Sequence, residues 1–343
     1  MPRPDSRSAV SAFQRWAGPV WVWTVVGAMV VAGSLGVADF ALLSNFQAVG
    51  QAAVPLAVVA IGETFVILTG GIDISVAAML SLGNTLSMGL MAGHEGRVWF
   101  AILLTVLAGL AAGATSGLIV AKLRVPSFIV TLGAANIVQG IVFAYTKQGT
   151  YGSPAPSLVN LGYANWGPFP ALVILLLPLL AVALWVQNRT RAGRHVYATG
   201  GDPAIARLAG ISVTRVRIAA FAASGGLAAL AGVVISMRLG SGEPLAGTGF
   251  DWDAVTAVVI GGTALRGGKG GVGGTIGGVL IVAMINDFMN LQGISTFWQT
   301  VAKGVVIFAA VIAGAGTELL TRRRRQLLRH LPGSAAREAP AHG

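Results

Sequence analysis

The chain is divided into about ten apolar runs, most of them close to 20 residues long, and nothing else constrains its fold as strongly. A run of that length, coiled as a helix, crosses the roughly 30 Å hydrocarbon core of a bilayer. The runs lie near residues 18–38, 48–69, 72–92, 98–120, 126–146, 168–187, 218–239, 253–265, 271–291 and 297–315. The expected fold class is therefore all-α: a polytopic integral membrane protein with about ten transmembrane helices, some broken or short. Only Gly70-Gly71 separates the second run from the third, so the chain must turn sharply at or inside the membrane, which glycine permits. The eighth run is short for a crossing and carries Gly261-Gly262. The first run follows Arg3, Arg7 and Arg15, as a signal peptide would, but it is too long for such a segment and many more runs follow.

Composition agrees. Of 343 residues 55% are apolar and 10% charged, too few polar groups to cover a soluble protein of this length. A soluble enzyme, a disordered tail and a collagen-like rod are all disfavoured. The net charge of +11 raises the question of nucleic acid, but membrane topology explains it. With a cytoplasmic N-terminus, ten spans return the C-terminus to the cytoplasm, and 19 of the 23 Lys and Arg residues fall on that side. Arg97 and Lys147 fall outside, Arg238 near the outer end of a span, and Lys303 within one. The basic loops lack the interleaved aromatics of a nucleic-acid surface, so no nucleic-acid partner is expected. The expected organisation is a cytoplasmic segment 1–17, a transmembrane domain 18–316 with a cytoplasmic loop 188–217, and a basic cytoplasmic tail 317–343.

The chain offers little for catalysis. It has no Cys, and His94, His195, His330 and His342 are scattered without metal-ligand spacing. The run Gly268 to Gly273 matches GxGxxG, yet membrane spans flank it where a dinucleotide site needs a strand and a soluble βαβ unit. It also fails as a P-loop, because Thr263 stands where the first glycine is required and Gly270 where a Ser or Thr is. No metal site and no enzymatic centre are expected.

Three acids lie at or near membrane depth: Glu63, Asp73 and Asp287. Such acids are costly and are functional candidates, for instance as a proton relay. For Asp73 the favoured alternative is a cap on a helix starting at Ile74 or Ser75; for Glu63 and Asp287 the residues decide nothing. Glycines four apart, Gly109/Gly113/Gly117 and the pairs Gly273/Gly277 and Gly274/Gly278, allow close helix approach, expected within the chain rather than at a dimer seam.

The loop 188–217 is the most informative soluble segment. Asp202 suits an N-cap, Pro203 a first helical position and Gly210 a left-handed stop, which predicts a helix of about two turns. Ile205, Leu208 and Ala209 would share one apolar face, lying on lipid headgroups or docking a cytoplasmic partner. Docking is favoured, because a span-rich chain without energy-coupling chemistry of its own needs a partner if it pumps.

Four runs carry a family resemblance: Thr69 to Val76 (TGGIDISV), Val125 to Gly133 (VPSFIVTLG), Gly200 to Ile211 (GGDPAIARLAGI) and Val258 to Thr263 (VVIGGT) with Gly267 to Gly270 (GGKG). Over about Asn45 to Ala313 the chain resembles the permease subunits of bacterial ABC sugar importers of the ribose/xylose/arabinose/galactoside type. The resemblance implies a second copy or a similar permease alongside, cytoplasmic ATPase subunits that bind ATP and Mg, and a periplasmic sugar-binding protein. It implies no cofactor in this chain and a bacterial inner-membrane location. Gly200, Gly201, Asp202, Pro203, Ala206, Arg207 and Gly210 match the family's coupling segment; Asp73 and Asp253 match its acids beside the two breaks. Ala77-Ala78 departs from the glycine many relatives have there, and the tail past Thr321 matches nothing.

A sugar is uncharged, so its path needs hydrogen-bonding groups and aromatic faces. Gly70, Gly71, Asp73, Ser75, Asn84, Asn136, Gln139, Asp253, Gly261, Gly262, Asn286 and Asn290 are the candidates for the path and its breaks, with Tyr145, Trp166 and Phe250 near the outer ends. For each amide, hydrogen bonding between helices is as good an explanation. The alternative function is an ion-coupled secondary transporter with its site at the breaks.

Overall fold

A computed structural model describes residues 19–295, 297–301 and 304–305. The first 18 residues, most of the tenth expected span and the tail lie outside the described residues. The chain divides into two compact units, Met1–Gln299 and Thr300–Gly343. In the second, residues 300–301 and 304–305 are helical; everything below concerns the first.

The first unit is helical, as its apolar runs predict. The helices are α1 (Val20–Gly36), α2 (Leu43–Leu68), α3 (Val76–Met91), α4 (Val98–Leu123), α5 (Ser127–Thr146), α6 (Pro156–Tyr163), α7 (Ala171–Arg189), α8 (Arg191–Gly201), α9 (Pro203–Leu208), α10 (Val213–Leu239), α11 (Phe250–Ile260) and α12 (Val272–Leu291). Among the described residues six helical stretches are long and apolar enough to span a membrane: α2, α4 with the turn Glu95–Arg97 before it, α5, α7, α10 and α12. α1 and α3 are shorter apolar helices. A two-residue β-hairpin, Asn165–Trp166 with Phe169–Pro170, precedes α7.

α10 is the hub, packed against α4, α3 and α2. Small residues make this possible, since lipid gives helices no hydrophobic reward for associating and close van der Waals contact must do the work. Gly109 of α4 and Gly225 of α10 face each other, and a Cβ on either would overlap the other's carbonyl. A Cβ on Gly117 would lie 2.9 Å from Ile218 Cα. The glycine spacing of α4 is thus an intramolecular seam. Gly274 and Gly278 of α12 meet Gly261, just past the end of α11, and Ala257 of α11 in the same way. Gly225→Val is expected to force this seam apart and cost about 1–3 kcal/mol or more of stability. The thermal midpoint of the detergent-solubilised chain would register it.

The eighth expected span is short for a structural reason. α11 holds only Phe250–Ile260, and residues 241–249 approach it as irregular chain beside α3. Backbone that is neither helix nor strand survives at membrane depth only where protein satisfies it. Side chains from α3 and α5 do so. Asn84 Oδ1 accepts from the Glu243 N–H at 2.5 Å, and Asn84 Nδ2 reaches the Ser241 carbonyl at 3.4 Å. Ser81 Oγ accepts from the Gly247 N–H at 3.0 Å, and Gln139 Nε2 donates to the Pro244 carbonyl at 2.9 Å.

The other end of the bundle gathers the break after α2, the α11–α12 loop and the segment from α8 to the start of α10. The basic residues of those loops, Arg189 to Arg217 with Arg266 and Lys269, therefore belong to one end. At the opposite end the Tyr163 hydroxyl donates to the Arg238 carbonyl at 2.7 Å, and Glu95 accepts from the Ser157 N–H at 2.8 Å and from its hydroxyl.

Candidate functional site

The break after α2 begins where Gly70 adopts a left-handed φ of 81°. The extended chain that follows is held from α5: Ser127 Oγ accepts from the Ile72 N–H at 2.9 Å, and Thr131 Oγ1 from the Ile74 N–H at 3.2 Å. Asp73 Oδ1 then accepts from the Ser75 N–H at 3.0 Å and from the Ser75 hydroxyl. Helix α3 starts at Val76, after both starts expected for it, so Asp73 organises the turn ahead of the helix.

The α11–α12 loop is the second break. Gly262, Gly267, Gly268 and Gly270 all have positive φ, which explains its glycine-rich sequence without any phosphate. Its partners come from three helices. The Gly268 N–H donates to the Leu68 carbonyl, the end of α2, at 3.0 Å. Tyr197 of α8 donates its hydroxyl proton to the Gly270 carbonyl at 2.6 Å. Gln187 of α7 accepts from the Val272 N–H at 2.7 Å and so caps α12.

The segment between α7 and α10 sits on both breaks. The sequence does not predict α8, because RAGRHVYATGG holds several weak helix formers and ends in two glycines. Thr190 caps it, accepting from the Gly193 N–H at 3.2 Å, and Gly193, Val196 and Thr199 are buried. Gly200 at its end has no room for a side chain: a Cβ would overlap the Leu68 carbonyl and lie 2.6 Å from the Gly268 nitrogen. Gly201 by contrast faces open space.

α9 matches its expected limits. Asp202 Oδ1 accepts from the Ala204 N–H at 2.7 Å and the Ile205 N–H at 3.2 Å, Pro203 opens the helix, and Gly210 follows it at φ 78°. Ala206 points inward and is 2% exposed, whereas Leu208 is 90% exposed, Ile205 64%, and Ala209 and Arg207 are exposed as well. The expected apolar face exists and is turned away from the protein. Asp202→Ala would remove two hydrogen bonds at the helix start and cost about 1 kcal/mol locally. Amide exchange across residues 203–208 should then quicken while that of α10 stays unchanged.

The structure disperses the remaining candidates. Asn84 and Gln139 hold the irregular chain described above. Asn136 is exposed, and its Nδ2 donates only one turn back, to Leu132 at 2.9 Å. Asn286 keeps a buried Oδ1 without a hydrogen-bond partner among the described residues, and Asn290 accepts from Gln299 Nε2 at 2.7 Å. Asp253 lies in the first turn of α11 with Asp251, where negative charge suits the helix dipole. Asp287 accepts from Asn45 Nδ2 at 2.9 Å, tying α12 to the start of α2. Among the described residues no cluster of His, Cys, Asp or Glu could hold a metal.

The fold is a helical membrane bundle with two interrupted spans at one end, where α8 packs on both interruptions through Gly200 and carries the exposed helix α9 after it. Residues 45–313 match the family described as branched-chain amino acid transport system / permease component, and the chain belongs to it. It is 38% identical over 285 residues to the ribose import permease protein RbsC of Haemophilus influenzae, covering 80% of this chain and 86% of that protein. It is 40% identical over 263 residues to RbsC of Bacillus subtilis (74% and 79%). It is 32% identical over 299 residues to the L-arabinose transport system permease protein AraH of Escherichia coli K12 (86% and 91%). No solved structure matches.

Proposed function

We propose that this chain is the membrane permease of an ATP-driven importer for a sugar of the pentose or hexose class. It lies in a bacterial inner membrane with both termini cytoplasmic and pairs with a second copy or a similar permease. Two ATPase subunits, which bind the ATP and Mg, dock on the basic end, and an extracytoplasmic binding protein delivers the sugar at the other. The observation that carries this reading is the seating of α8 and α9: Leu208 and Ile205 are offered outward, while Gly200 rests on the end of α2 and on the α11–α12 loop. A push on α9 would be passed through α8, whose end touches both interrupted spans. The sugar relatives support a sugar over the amino acid in the family's description. Asn136, exposed on α5 among Ile129, Leu132 and Gly133, is the amide best placed for an uncharged hydroxyl-rich cargo.

Vesicles holding this chain with its ATPase and binding protein should take up ribose or arabinose only when ATP is supplied on the ATPase side. The ion-coupled alternative draws on the buried pair Glu63 and Asp73. Uptake by the chain alone under an ion gradient would favour it and remove the ATP-driven reading.

A further inference from the structure

Glu63 and Asp73 form a buried acid pair outside the coupling segment. Each is 0% exposed. The Asp73 N–H donates to Glu63 Oε1 at 3.1 Å. The second oxygens, Glu63 Oε2 and Asp73 Oδ2, have no hydrogen-bond partner among the described residues. A third buried atom, the Ser224 hydroxyl of α10, stands near the Asp73 carboxyl and is also without a hydrogen-bond partner among the described residues. Three elements thus bring unfilled polar atoms to one place, where each orphan is costly.

The charges that act most strongly on Glu63 are negative: Asp73 first, and more weakly Asp251 from the start of α11. Two neighbouring carboxylates in a low-dielectric interior repel far more strongly than in water, and two sharing a site do not both ionise. One proton resolves the repulsion and also turns one of the unfilled oxygens into a donor. The donors already present decide which acid takes it. Asp73 accepts twice at Oδ1, from the Ser75 N–H and hydroxyl, whereas Glu63 accepts from a single N–H among the described residues. Donors to a carboxylate favour its charged form.

We infer that this is a proton-binding site: Glu63 is held as the neutral acid and donates through Oε2 to the Asp73 carboxylate, clasping α2 to the chain that enters α3. The proton is a fixed part of the fold and is not passed to a cargo. Glu63 lies five residues before Leu68, about 7.5 Å along the helix, so the clasp braces the end of α2 on which Gly200 rests. Glu63 is accordingly a positioning residue. The inference is independent of which solute the chain carries.

Infrared spectroscopy of the purified chain in lipid nanodiscs tests it. At neutral pH the spectrum should contain the carbonyl band of a buried protonated carboxylic acid. The band should shift when glutamate side chains are isotopically labelled, persist in mildly alkaline buffer, and be unaffected by exchanging sodium for a bulky organic cation. It should be lost in Glu63→Gln. Labelling the unaltered chain gives the assignment even if that variant folds poorly. A band that follows aspartate labelling would overturn the inference. So would retention of the band in Glu63→Gln, or no acid band at neutral pH, the result expected if the pair held a metal cation.

Discussion

Leu208→Asp is expected to abolish ATP-driven uptake while leaving the chain folded and inserted. Leu208 is 90% exposed and heads the outward face of α9, so its replacement removes nothing from the packed interior. If that face is buried against an ATPase, a charge placed there loses the apolar contact and is desolvated as well. Anchoring residues at interfaces are worth about 2 kcal/mol or more, and each 1.4 kcal/mol is about tenfold in affinity. ATPase retained on immobilised permease should therefore fall by more than about tenfold, while helix content and thermal midpoint stay at the unaltered values. The same substitution at Ala206 would not test docking. Ala206 faces inward, and a carboxylate there would unseat α9 itself.

Gly200→Ala should uncouple by a different route. The added methyl would drive between the Leu68 carbonyl and the Gly268 nitrogen, groups joined by a hydrogen bond of 3.0 Å. Something must move: α8 off the breaks, or the α11–α12 loop off α2. Overpacking of this kind costs about 1–3 kcal/mol, and here it falls on the contact through which α9 would move the two interrupted spans. ATPase binding should survive, because the outward face of α9 is untouched, while uptake per ATP hydrolysed falls. Gly201→Ala is the control. Its Cβ would meet no atom within 4 Å, so uptake should stay near the unaltered rate.

Features written in local chemistry were legible in the sequence. Asp202, Pro203 and Gly210 marked α9, and the alternation of apolar runs with basic loops marked the spans. Features that depend on distant partners were not. α8 forms because Gly193, Val196 and Thr199 are buried, against its own weak propensity. α10 begins at Val213, before the expected Ile218, since Arg215 and Arg217 suggested loop but extend the helix beyond its apolar part. Asn84 and Gln139 looked like path residues because amides are costly in a span. Nothing near them showed that residues 241–249 would descend beside α3 without helical bonds of their own. Gly200 and Gly201 are alike in sequence, yet only Gly200 meets another backbone.

The central claim is that α9 is where an ATPase engages this permease. The chain has no cysteine, so a cysteine introduced at Leu208 would be unique. A second single variant at Leu245, which is 60% exposed and lies in the irregular chain beside α3 rather than in the basic loops, provides the comparison. A short bifunctional reagent applied to the reconstituted transporter should join position 208 to the ATPase, with a yield that changes when ATP is bound, and should leave position 245 unjoined to it. Cross-linking at 245 with none at 208 would contradict the account.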